Sequence, residues 1–254
     1  MPDDAIDDIQ IEDGQEEEQE QQESRKQVIS TGHGEIDKKL GGGIPIGSLT
    51  LIEGQSDAGK SVLCQQMIWG SLNDDFRVVL FTTENTVKSL VTQMNSLGLD
   101  ITDRLLLGQI KVYTMRASLV RSNATLALQA ILDTMQRLED FDFPIVDSIT
   151  PIVAGARGEE CLAYFERCKA FCDRGKTVIN VTHTYAFEQD LLVRIRSVCD
   201  AHFKLAIEKL GDRLVKTLEV AKVRGATQST GNILSFDVEP EIGMKIMPLS
   251  RAKV

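Results

Sequence analysis

No stretch of the 254 residues approaches the run of about 20 apolar side chains that a membrane-spanning helix needs. The polar, acidic N-terminus does not read as a secretory signal. Both absences lead to the expectation of a cytoplasmic protein. Aromatic residues are scarce, at 5% with one Trp, so stacking platforms for single-stranded nucleic acid are few. The five cysteines lack the even number and paired short spacings of a disulfide framework. Cys161, Cys168 and Cys172 invite a metal reading, but Phe165 falls among them at helical spacing. Together the four make one apolar stripe of a core-facing helix. The three histidines are widely separated and do not complete a metal site.

Basic charge is missing from the first 23 residues, where eleven of the 38 acidic side chains sit. The other 27 acids balance the 28 basic residues, so the net charge of −10 belongs to the N-terminus. Residues 1–27 are therefore expected to be an acidic disordered tail, either a solvated extension or a docking arm for a basic surface. The remainder, 28–254, lacks the bulk positive charge of a non-specific nucleic-acid binder. Its length suits one large α/β domain, with no linker or repeat to divide it.

Beyond the tail, Ser30–Gly47 is glycine-rich loop around a short amphipathic piece, Ile36–Leu40. Buried strands are expected at Ser48–Glu53, Arg77–Phe81, Phe143–Val146 and Thr177–Val181, with a further strand at Gln109–Met115. Between them the periodicity predicts helices over Lys60–Leu72, Thr86–Leu97, Asn123–Leu138 and the cysteine-bearing segment. That alternation is the signature of a mostly parallel sheet flanked by helices. Past Val198 the pattern becomes Ala201–Leu210 and Arg213–Arg224, joined at Gly211-Asp212, then Ile233–Val238 and Met244–Pro248. These read as antiparallel strands that extend the sheet.

Gly54-Gln55-Ser56-Asp57-Ala58-Gly59-Lys60-Ser61 fits the pattern G-x-x-x-x-G-K-S/T at every fixed position, between an expected strand and an expected helix. Gly54 and Gly59 allow backbone conformations and close approaches that a Cβ obstructs. The loop's backbone N–H groups and the following helix N-terminus then form an anion nest. Lys60 is expected to reach the β- and γ-phosphates of ATP, and Ser61 to ligate Mg2+, with Val62 closing the binding set. Asp57 is unusual there, since an acid beside phosphates weakens binding unless it turns away.

Asp147 ends an apolar run, as a carboxylate presented at the C-terminal edge of a strand does. It is expected to hold the magnesium shell, the Walker-B role. Ser148 stands where many P-loop ATPases carry a catalytic acid, which leaves Glu84 as the candidate general base. A helix N-terminal acid, favourable to the dipole, is the plainer reading of Glu84.

Taken together, Gly34–Leu40, the Gly-Gly-Gly-Ile-Pro run after it, Gly47–Ile52, Ile145–Thr150, Lys222-Val223-Arg224-Gly225 and Phe236, Gly243, Pro248 and Leu249 carry a resemblance. The chain resembles the RecA-like P-loop family that includes the circadian clock ATPase KaiC, over essentially everything after residue 28. Its single domain, Thr83-Glu84-Asn85 and Val181-Thr182-His183-Thr184 are similar to the archaellum accessory branch of that family.

The resemblance implies a hexameric ring at the base of the archaeal flagellum, peripheral to the membrane and its platform protein. It also implies contact with the motor ATPase and the scaffold ring proteins. It carries two further assignments: Lys222 and Arg224 as a finger to the neighbour's γ-phosphate, and His183 as a γ-phosphate sensor. A solvated strand end and a hydrogen-bonded edge histidine are the plainer alternatives. Where the family places two adjacent glutamates, Glu84 is followed here by Asn85, which cannot act as a base.

The leading expectation is thus a regulatory ATP-binding ring subunit with slow or no hydrolysis. The alternatives are an active ATPase motor and a recombinase-like binder of single-stranded DNA. For DNA, the loop after Asp147 offers only Arg157, and the loop after His183 offers Tyr185, Phe187, Arg194 and Arg196.

Overall fold

Strands that are apolar on both faces must be covered on both faces, which requires a sheet between two helical layers. The computed structural model, which describes residues 27–210, 213–226 and 233–247, has that arrangement. A two-stranded ribbon, β1 (Val28–Ile29) with β2 (Ile44–Pro45), encloses α1 (Gly34–Lys39). Then follow β3 (Leu49–Gly54), α2 (Lys60–Asn73), β4 (Val78–Thr82), α3 (Val87–Ser96), α4 (Thr102–Leu106) and β5 (Ile110–Thr114). Next come α5 (Ala117–Ser122), α6 (Ala124–Arg137), β6 (Phe143–Asp147), α7 (Thr150–Val153), α8 (Gly158–Cys172), β7 (Val178–His183) and α9 (Gln189–Val198). The chain continues through β8 (Ala201–Leu210), β9 (Arg213–Val223), β10 (Ile233–Glu239) and β11 (Gly243–Met247).

The main sheet runs β11-β10-β9-β8-β3-β7-β6-β4-β5. Pairings from β8 through β5 are parallel, and β8 to β11 are antiparallel neighbours. Alternate residues of the central strands serve opposite layers. Ile52, Leu80, Ile145 and Val181 pack with Leu63 and Met67 of α2 and with Leu90 and Met94 of α3. Leu51, Val79, Phe81 and Val146 pack with Leu128 and Ile131 of α6, Phe165 of α8 and Ile195 of α9. Cys161, Cys168 and Cys172 lie in that second layer beside Phe165, buried as the stripe predicts.

The register fixes what matters for the site. Gly54 pairs with His183, and Thr82 pairs with Asp147. The ends of β3, β4, β6 and β7 therefore open on one edge, where parallel α/β sheets place their ligand sites. α3 starts with a capping box in which the Thr86 hydroxyl accepts from Ser89 N–H and the Ser89 hydroxyl from Thr86 N–H.

Several short elements have no counterpart in the sequence pattern, namely the β1–β2 ribbon, α4, α5, α7 and α9. The expected tail lies outside the described residues except for Gln27. So do the Gly211-Asp212 turn, Pro248 and Leu249.

Candidate functional site

The phosphate-loop sequence leaves β3 with its first residue stitched to β8. Gln55 N–H donates to the Leu205 carbonyl at 3.3 Å, and the Gln55 side-chain oxygen accepts from Ile207 N–H at 3.1 Å. Gly54 has to be glycine for a steric reason, because a Cβ there would meet the Leu205 carbonyl oxygen at 2.5 Å. Gly59 answers two demands. Its φ of +95° is left-handed, and a Cβ would stand 2.9 Å from the Phe236 ring. Asp57 is also left-handed, at φ 59°, and exposed.

Ala58 is buried beneath the loop, and α2 starts immediately beyond Gly59, so the helix N-terminus faces the loop's hollow. Lys60 Nζ donates to the loop's own Gln55 carbonyl at 2.6 Å and lies 3.5 Å from His183 Nδ1. Burial lowers its pKa, against the charges of Glu84 and Asp147, which raise it.

A cleft of about 580 Å³ lies over the loop. Ser56, Asp57, Gly59, Lys60, Ser61 and Val62 line it from one side, and Glu84, Asn85 and His183 from the other. Asp57 thus stays on the cleft, and its charge acts on both Lys60 and His183. Asp147 is buried behind Ser61, whose hydroxyl is close enough to lower the carboxyl's pKa. Burial first, and the Glu84 charge second, outweigh that and push Asp147 up to about 7. Its Oδ1 is buried without a hydrogen-bond partner.

A hydroxyl beside a carboxylate with an unpaired buried oxygen is an oxygen donor set that suits a hard divalent cation such as Mg2+. The loop's hollow suits the polyphosphate that such a cation accompanies. The residues present therefore fit both groups.

Glu84 follows β4 as expected and is partly exposed, with Oε1 4.0 Å from His183 Nε2. His183 is held from two sides. Its backbone N–H donates to the Thr150 hydroxyl at 2.9 Å, and its ring stacks on Tyr185 at 5.1 Å. Burial, then the nearby Lys60 charge, lower its pKa, so the imidazole is neutral at pH 7.

Lys222 and Arg224 are not in this cleft. Ala201 pairs with both Thr50 and Val223, which puts these two residues beside the start of β3, whereas the loop leaves its end. The intervening strand separates them from their own loop by about 13 Å, at roughly 3.3 Å per residue. Lys222 Nζ donates to the carbonyls of Arg196 and Cys199, and Arg224 lies 3.5 Å from Asp200.

Some cleft residues were not singled out from the sequence. Lys216 of β9, Val238 of β10 and Gln93 of α3 line it, while Phe236, singled out only as part of the family resemblance, backs Gly59. Lys216, Val238 and Phe236 reach the cleft because β9 and β10 pair in turn beyond β8. The sequence pattern predicts those strands but not which of their side chains face the loop.

Comparison with known proteins agrees with this geometry. Residues 29–251 match the family model described as ATPase: KaiC. The archaeal flagellar ATP-binding protein FlaH of Sulfolobus acidocaldarius is 31% identical over 229 residues, covering 89% of this chain and 99% of the relative. The crystal structure of the flagellar accessory protein FlaH from Methanocaldococcus jannaschii superposes with a TM-score of 0.72 at 27% identity, covering 87% of this chain and 99% of that one. A KaiC-like protein from Pyrococcus horikoshii shares the fold, with a TM-score of 0.70 at 19% identity over 87% of this chain and 99% of its own.

Proposed function

Because this chain belongs to the KaiC family of ATPases, and within it to the FlaH group, we propose that it binds ATP with Mg2+ and acts as a regulatory and assembly subunit of the archaellum motor. The observation that carries the proposal is the meeting of Lys60, Ser61 and the unpaired Asp147 oxygen at one sheet edge. Bound there, the metal–nucleotide pair supplies the negative phosphates for which Lys60 and the loop amides are arranged. Lys60, now on the Gln55 carbonyl, would bind a phosphate oxygen, Ser61 and Asp147 would hold the cation, and His183 would sense the terminal phosphate.

The phosphate loop and the Lys222–Arg224 segment lie at opposite strand ends of the sheet, which favours a ring in which one protomer's Lys222–Arg224 segment meets its neighbour's loop. A positive group there stabilises charge on the terminal phosphate. ATP then favours assembly by mass action, because it binds the assembled form better. The expected assembly is a hexamer at the cell membrane beneath the archaellum, in contact with the motor ATPase and scaffold ring proteins. Among the described residues no helix is long and apolar enough to cross the membrane, in keeping with a peripheral position. Hydrolysis is slow or absent, since Glu84 stands alone beside Asn85.

Size-exclusion chromatography with light scattering tests this proposal. Magnesium and ATP are expected to convert the protein to a ring-sized species, and a monomer under both conditions contradicts it. A second reading, an active ATPase motor, is favoured by the approach of Glu84 to His183. Rapid steady-state turnover that Glu84→Gln abolishes would establish that reading instead.

A further inference from the structure

Next to Gly54 of the phosphate loop lies a buried charge that the nucleotide site does not use. Glu53, with its side chain 3% exposed, pairs with the Arg196 guanidinium, and His202 Nε2 lies 3.3 Å from the same carboxylate oxygen. Burying such a group costs several kcal/mol unless every lone pair is satisfied. Here Glu53 Oε2 and Arg196 Nε are buried without a hydrogen-bond partner. Burial raises the Glu53 pKa, but His202 and Arg196 outweigh it and hold the carboxyl below its usual range. The Arg196 contact ties α9 to the end of β3.

The backbone of the same arginine leads to the other half of the site. The Arg196 carbonyl, with that of Cys199, accepts from Lys222 Nζ at the C-terminal end of α9. Those carbonyls lack helical partners, and a cation there is favourable to the helix dipole. The start of β3 is tied to the same region. Leu49 N–H donates to the Asp200 carboxylate at 2.9 Å, and the Asp200 carbonyl accepts from Arg224 N–H at 2.9 Å. Arg224 differs from Lys222 in being exposed, where Lys222 is half-buried. Its side chain is 58% exposed, with one long contact to Asp200.

We propose that Glu53, Arg196 and Lys222 form a strut within one protomer, that Lys222 is a positioning residue on it, and that Arg224 alone crosses to the neighbour's phosphate. The strut fixes the Arg224 segment relative to the protomer's own phosphate-loop strand. This rests on the ring reading above and divides the Lys222–Arg224 pair into two roles that the family motif treats as one.

The test uses the full-length protein and the variants Lys222→Met, Arg196→Met, Arg224→Met and the shape-preserving Glu53→Gln. Two quantities are read: the melting temperature without nucleotide, and the ATP concentration at half-maximal assembly, measured where circular dichroism shows each variant folded. Lys222→Met and Arg196→Met should each lower the melting temperature and raise the half-maximal ATP concentration about tenfold. Their double variant should be no worse than the more damaging single one. Glu53→Gln should shift assembly in the same direction, and carries the test if the methionine variants do not fold. Arg224→Met should leave the melting temperature unchanged and abolish assembly.

Lys222→Met that loses assembly at an unchanged melting temperature would overturn the strut and make Lys222 a phosphate ligand in trans. Lys222→Met that melts earlier but assembles at the wild-type ATP concentration would also overturn it, leaving only a structural role. Additive effects in the double variant would do the same. Normal assembly of Arg224→Met would instead defeat the ring reading on which the strut depends.

Discussion

At the scale of single residues, the Asp147 carboxyl lies where folding and ligand binding make opposite demands. The unfolded chain ionises it at its ordinary 3.8, and the folded chain at about 7. Between those values the folded state holds the extra proton, so stability falls as pH rises, and the loss is complete above pH 7. Asp147→Asn removes the ionisation, so in the nucleotide-free protein it should raise the melting temperature at pH 8 and change it little at pH 4. An equal gain at both pH values would show that the buried charge is not the cause. Lys60, Ser61 and Asp147 were legible in the sequence as candidates because phosphate and magnesium chemistry demand those groups at fixed spacing, and the structure brings them together at one sheet edge. Lys216 and Gln93 were not, because a lysine in a strand and a glutamine on a helix carry no such signature.

At the scale of elements, β10 matters to the nucleotide site although it is distant in sequence. Its Phe236 is buried and lies against Gly59, where the loop turns into α2. Phe236→Ala should cost about 3 to 5 kcal/mol, as large-to-small aromatic core substitutions do. It should also weaken nucleotide binding, since the glycine loses its backing. Urea unfolding and a binding titration check the two effects, and a stability loss with unchanged affinity would separate this strand from the site. A smaller cost, about 1 kcal/mol, is expected for Thr86→Ala, which removes the α3 cap. The central strands and long helices were legible because each is an apolar block with its own period and punctuation, as in Ser48–Glu53 before the glycine loop. The helix α9 does carry a pattern, since Leu191, Leu192, Ile195 and Val198 recur at helical spacing and face the second layer, but so short a segment was not singled out from the sequence. It packs on α8 and is tied to β3 through Arg196.

For the whole molecule, the phosphate loop lies at the end of β3 and Arg224 beside its start, and the proposed ring makes them complementary halves of one site between neighbours. A lone protomer cannot join them across its own sheet. Mixing Lys60→Ala with Arg224→Ala subunits should therefore recover part of the ATP-dependent assembly that each lacks alone, because some interfaces pair an intact loop with an intact Arg224. No recovery at any ratio would argue that both act within one protomer. All of this depends on the phosphate loop taking a nucleotide. Isothermal titration of the wild-type protein with ATP and magnesium should give a saturable heat at one site per chain, and Lys60→Ala should abolish it. Unchanged heat and affinity in Lys60→Ala, or no heat from the wild type, would contradict the account.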